Sequence, residues 1–148
     1  MTDTPASGSL QVTVSSLVDF VRRHDHVPRS GSRWGTCEVL AHLVYWHERY
    51  VECLDAAREG RVVALPRATL KELNARALVD LSGIDSQSLA SRLAVAQDRL
   101  DRLVAAGVPA DATIQLAAGT RAWPWLELLD RAARHVAGHE HDLRRAGG

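Results

Sequence analysis

The chain has 148 residues, enough for one domain with a sizeable core. Its 18 basic and 18 acidic side chains cancel, which leaves no net field to attract nucleic acid or an anionic membrane surface as a partner. Hydrophobic residues make up 46% of the chain, but no apolar run approaches the roughly 20 residues of a membrane span, and MTDTPASGSL lacks the start of a signal peptide; the expected compartment is the cytoplasm.

Residues 1–9 are small and polar and are expected to form a flexible N-terminus, with a single domain over 10–148. From Leu10 to about Arg23, Val14, Leu17, Val18 and Val21 repeat at helical spacing and predict an amphipathic helix. Pro28 ends any continuation, and RSGSR (29–33) reads as a loop. The second helix is predicted from Thr36, taken as its N-cap, to Glu59, with Gly60 as the stop. Trp34 precedes it, placed to pack on its first turns. Cys37 and Cys53 share this helix, separated by about 24 Å of rise, so they read as two reduced, buried thiols.

After the connector RVVALPRA, a shorter helix is predicted from Thr69 to about Leu81. The next runs from Asp85 or Ser86 to Ala106, with Leu89, Leu93, Leu100 and Leu103 inward and Gly107 and Pro109 as its stop. Residues 108–122 read as a loop with a brief extended stretch at ATIQLAAG. The last helix is predicted to begin at Trp123-Pro124, with proline at the first helical position, and to close at Arg144 and Arg145. Gly138, inside it, suggests a close approach by another helix or a ligand. The sum is all-α: a four-helix bundle with one short extra helix, no strand of any length, and inner faces of the kind that carry metal or ligand sites.

The chemistry concentrates in the last helix, at RAARHVAGHEHDLRR. His135 and His139 lie four residues apart, so both imidazoles share one face one turn apart. His42 lies on the apolar face of the second helix, beside Val39 and Trp46. Brought together, His42, His135 and His139 would hold one metal ion with a position left open for water or substrate. Imidazole suits zinc, nickel, iron or manganese; zinc or nickel is the first expectation. No glutamate separates the HVAGH pair, so the zinc-protease motif is absent, and no serine triad, phosphate loop or CxxC motif is present. Asp142 shares the face of the pair and is expected either to orient a ligand histidine or, preferably, to pair with Arg145. Trp34, Trp46, Trp123 and Trp125 either frame an apolar pocket above the metal or, preferably, belong to the bundle core; Trp46 and Trp125, with Asp142, are the candidate pocket residues. His47, five residues beyond His42, is placed outward or sideways. Glu38, Glu48 and His47 are the nearest candidates for a general base, and none is assigned, so no catalytic residue is named.

Trp34 with CEVLAHLVYWHERY, and a final helix carrying HVAGHEHDLRR, resemble the DinB/YfiT-like superfamily of four-helix bundles, over about residues 10–146. That superfamily includes mycothiol-dependent maleylpyruvate isomerase and bacillithiol transferases, and its usual metal triad corresponds to His42, His135 and His139. The isomerase carries a glutamate where this chain has His135. The text VLAHLVYWHERY followed by AAREGRVVALPRATLKELNARAL is more similar to the ClbS/DfsB branch, whose activity is self-resistance by hydrolysis of a reactive natural product. The resemblance implies a metal-dependent enzyme acting on a small electrophile, by thiol transfer or hydrolysis, with a low-molecular-weight thiol as co-substrate. The alternative is a metal-free ClbS-like protein that binds or hydrolyses a hydrophobic natural product. A small molecule is the expected partner in both, with a homodimer through exposed helix faces as a further expectation.

Overall fold

The computed structural model describes residues 6–147; the expected flexibility of residues 1–5 lies outside the described residues. Among the described residues there are five helices and one two-stranded sheet: α1 (Ala6–Arg23), α2 (Thr36–Glu59), α3 (Leu70–Asp80), α4 (Ser86–Ala106), β1 (Thr113–Gln115), β2 (Ala122–Pro124) and α5 (Trp125–Gly147). The four long helices surround one core in the order α1–α4–α2–α5. α1 packs closely on both α4 and α5, and α2 on α4, whereas the backbones of α2 and α5 approach each other at few points. Leucines at 10, 17, 40, 43, 89, 93, 100 and 129 fill the centre. No helix among the described residues is long and apolar enough to cross a membrane.

Helix α1 begins a turn before the expected Leu10. Apolar periodicity does not register a first turn of small and polar residues. The N-cap of α2 is Gly35, not Thr36. The Glu38 carboxylate accepts from the Gly35 N–H at 2.9 Å, while the Thr36 hydroxyl accepts from the Val27 N–H at 2.9 Å and the Thr36 N–H donates to the Val27 carbonyl at 2.9 Å. This two-way clamp presses residues 27–29 onto the helix start. A Cβ at Gly35 would collide with the Val27 carbonyl and the Pro28 backbone, so glycine is needed there for close approach. At the other end Gly60 takes a φ of 68°, the left-handed stop that glycine provides. Thr69 caps α3 by accepting from the Glu72 N–H, and Asp85 caps α4 by accepting from the Ser88 N–H at 2.7 Å.

Trp123 and Pro124 belong to β2, not to the last helix. β2 pairs antiparallel with β1, which falls inside the ATIQLAAG stretch, with Ile114 opposite Trp123. The φ of proline suits a helix start and an extended segment equally, so the pairing with β1 decides. α5 therefore starts at Trp125, whose N–H donates to the Ala112 carbonyl at 3.2 Å.

His47 is the main departure among the candidate residues. It was expected outward and is 1% exposed. Five residues at about 100° each do place it about 140° round from His42. That side of α2 packs on α4, so α2 is buried on two faces. Cys53 is buried as expected, but Cys37 is only half-buried; both are free thiols.

Candidate metal centre

The gap between α2 and α5 is where the three imidazoles meet. α2 contributes His42, 4% exposed, from its apolar stripe. α5 contributes His135 and His139 from consecutive turns. The Nε2 atoms of His42 and His135 are 3.4 Å apart, and those of His139 and His135 are 2.9 Å apart. One ring nitrogen from each of the three lies within 4.8 Å of the others, close enough to hold one metal ion. A tetrahedral ion bound at about 2.0–2.1 Å from each nitrogen would set the nitrogens about 3.3 Å apart; the two separations to His135, 3.4 and 2.9 Å, lie within half an ångström of that, and the His42–His139 pair lies within 4.8 Å. The rings stand edge-on or tilted to one another, with centroids 4.5–5.3 Å apart, so nitrogens rather than ring faces converge.

Electrostatics favour neutral, metal-ready imidazoles. Burial, then the proximity of His135 and His139, pushes His42 down to about 3, against a small opposing effect of the Asn74 side chain. Burial and the neighbouring His135 push His139 down to about 4, opposed by the Asp142 charge. Burial lowers His135 as well. All three are therefore uncharged near neutrality, and a neutral imidazole offers one lone pair to a metal. The Nδ1 of His42 is buried with no hydrogen-bond partner among the described residues, so nothing there fixes the tautomer of the ring.

Trp34, one of the four tryptophans read either as framing a pocket above the metal or as core, lies against the cluster. Its indole stacks on His139 with ring planes 12° apart and centroids 6.1 Å apart, and tilts against His42 at 5.1 Å. Trp46 is buried one turn beyond His42, and its Nε1–H donates to the Asn74 Oδ1 at 2.7 Å, tying α2 to α3 beside the histidines. Trp125 is buried ten residues before His135, about 15 Å away along α5, and belongs to the core rather than to this cluster. Asp142 is exposed beside an open cleft with Arg33 and Arg145, and forms neither the expected ion pair with Arg145 nor a hydrogen bond to a ligand ring. Gly138 meets open space, so no helix approaches it.

The carboxylates near His42 in sequence are engaged elsewhere. Glu38 caps its own helix, and Glu48 holds Arg92 through two hydrogen bonds of 2.6 and 2.7 Å. His47 Nε2–H donates to the Gln97 Oε1 at 2.9 Å, and the Gln97 amide donates to Asp101 at 2.9 Å. A cavity of about 470 Å³ opens beside His135, with Tyr50 and Trp123 among its walls. It is where a molecule reaching the cluster would sit. Comparison of the chain with protein-family models, with curated proteins and with solved structures finds no match.

Proposed function

We propose that His42, His135 and His139 hold a divalent transition metal, zinc or nickel first, in a DinB-like bundle that acts on a small electrophile. The observation that carries this reading is the convergence of three neutral ring nitrogens from two helices, within 4.8 Å, beside an open cavity. The family assignment is supported by the chain order: a tryptophan ahead of the second helix, one histidine within that helix, and a histidine pair on the last. Three nitrogen ligands are the donor set of catalytic sites, which keep a position open. When bound, the metal would lower the pKa of a water or thiol and so supply a nucleophile near neutral pH.

The residues of the chain supply the rest. His42 is the buried anchor, held between Val39 and Trp46 in α2. His135 faces the cavity, so chemistry would take place on its side of the cluster. Trp34 shields His139 and His42 from bulk water. Glu38, Glu48 and His47 each have a structural partner, so the proton released by the nucleophile passes to solvent through the open cavity. In thiol transfer the thiol sulfur would form a bond to the electrophilic carbon while that carbon's bond to its leaving group breaks, the electron pair departing with the leaving group and the thiol proton going to solvent. In hydrolysis a water oxygen would take the place of the sulfur, with the same bond broken.

The experiment is conjugation of monochlorobimane to a small thiol, with zinc-loaded wild-type protein beside His135→Ala. Acceleration by the wild type and its loss in the variant support the reading. Equal rates for the two proteins would refute thiol transfer at this centre. A metal-free protein that binds a hydrophobic molecule is the second reading, favoured by the leucine-rich wall of the same cavity.

A further inference from the structure

The cavity beside His135 carries a chemical preference of its own. Leu70, Leu116 and Leu128 give it an apolar wall. Its charged lining is of one sign: Arg131 and Arg134 border it beside His135, and no acidic residue among the described residues lines it. Arg134 is already engaged by Asp130 at 2.7 Å. Arg131 makes no ion pair among the described residues. Its guanidinium lies over the Trp123 ring at 4.2 Å, and the Arg121 guanidinium lies over the same ring at 3.9 Å.

A cation–π contact of this kind engages no hydrogen-bond acceptor, and Arg131 makes no side-chain hydrogen bond or ion pair among the described residues, so its N–H groups are available. Those donors form the fork that matches a carboxylate with two parallel hydrogen bonds. One indole thus carries two cations, of which Arg131 lines the cavity. β2 supplies that indole because Trp123 is held in the hairpin, opposite Ile114, rather than in α5. Arg131 and His135 are four residues apart on α5, about 6 Å of rise. A ligand anchored on Arg131 therefore needs only a short spacer to reach the histidines.

We propose that this cavity binds a small amphiphilic carboxylate: its carboxylate on Arg131, its apolar body against the leucines, and its far end at His135. What happens at that far end rests on the metal-centre reading; the binding does not. The substrate class is a short carboxylic acid with an apolar body and an electrophilic carbon remote from the carboxylate.

The test uses sodium 4-phenylbutyrate and the neutral 4-phenylbutanamide as probes, titrated by calorimetry into the full chain after chelator treatment, and again after zinc loading. The acid should bind at least about tenfold more tightly than the amide in the metal-free protein, the effect of a charge-assisted hydrogen bond. Arg131→Ala should erase that preference. Arg102→Ala, which removes an arginine paired with Asp98 on α4 and outside this cavity, should leave it unchanged. Arg131 is exposed, so the variant should keep the helical circular dichroism of the wild type. Equal binding of the two probes, no detectable binding of either, or a preference that survives Arg131→Ala would each overturn the proposal. A protein that takes up no metal yet shows the preference would refute the metal reading alone. One that takes up metal without the preference would refute this proposal alone.

Discussion

Replacing His47 with leucine tests whether the buried polar link between α2 and α4 governs acid stability. His47 is 1% exposed, and burial pushes its pKa down to about 4, against the opposing bond from Gln97. In the unfolded chain it titrates near the ordinary imidazole value of 6.5. Above pH 6.5 both states hold the ring neutral, and the folded state carries no penalty. Between 6.5 and 4 the unfolded chain takes up a proton that the folded protein refuses, so stability falls as pH falls. Two pH units within that window correspond to about 3 kcal/mol at about 1.4 kcal/mol per unit.

His47→Leu removes this acid-dependent loss but leaves the buried Gln97 oxygen without its donor. That should cost about 1–3 kcal/mol at pH 7.5. The variant should therefore be the less stable protein at pH 7.5 and should draw level with the wild type, or pass it, by pH 4.5. Urea unfolding followed by tryptophan fluorescence, with chelator present throughout, gives the difference at each pH. Other titrating groups act in both proteins and cancel. A constant gap between the two curves from pH 7.5 to 4.5 would refute the reasoning, because it would mean that His47 takes up its proton equally in both states.

Zinc at a hundredfold excess over its dissociation constant should stabilise the wild type by about 2.7 kcal/mol, read as a rise in Tm, and His139→Ala should abolish the rise. Because burial keeps all three imidazoles neutral, zinc binding at pH 6 should release far fewer than the roughly two protons that three imidazoles of ordinary pKa would give up. Calorimetry in buffers of differing ionisation enthalpy counts the protons at that pH, where a metal-bound water adds few, and release of about two would contradict it. Gly35→Ala should destabilise the protein by about 3 kcal/mol, the upper range for a steric insertion, since the added methyl meets backbone rather than a movable side chain. Denaturant titration checks it, and a loss below about 0.5 kcal/mol would mean that the α2 entry relaxes freely.

Features that depend on local physics were legible in the residues. Gly60 and Gly107 marked helix ends, Asp85 a helix start, and the spacing of His135 and His139 put both on one face. His42 was identifiable because it interrupts an otherwise apolar stripe. Features set by distant contacts were not legible. The β1–β2 hairpin is three residues to a strand, too short for periodicity, and Pro124 suits either conformation. His47 was expected outward because a helix was granted only one buried face, whereas α4 covers the second. The Gly35 cap depends on the returning Val27 carbonyl, and the Arg131–Trp123–Arg121 stack needs the hairpin in place. The indoles at Trp123 and Trp125 are two residues apart, yet only Trp123 borders the cavity by His135.

The most direct measurement is metal content per chain, by elemental analysis of protein dialysed after incubation with zinc or nickel, for the wild type and for His42→Ala, His135→Ala and His139→Ala. The account predicts about one ion per wild-type chain and well under half that in each variant, as expected when one of three ligands of a single site is lost. Wild-type protein without metal, or variants that retain a full equivalent, would contradict it. The three histidines would then line a cavity and hold nothing between them.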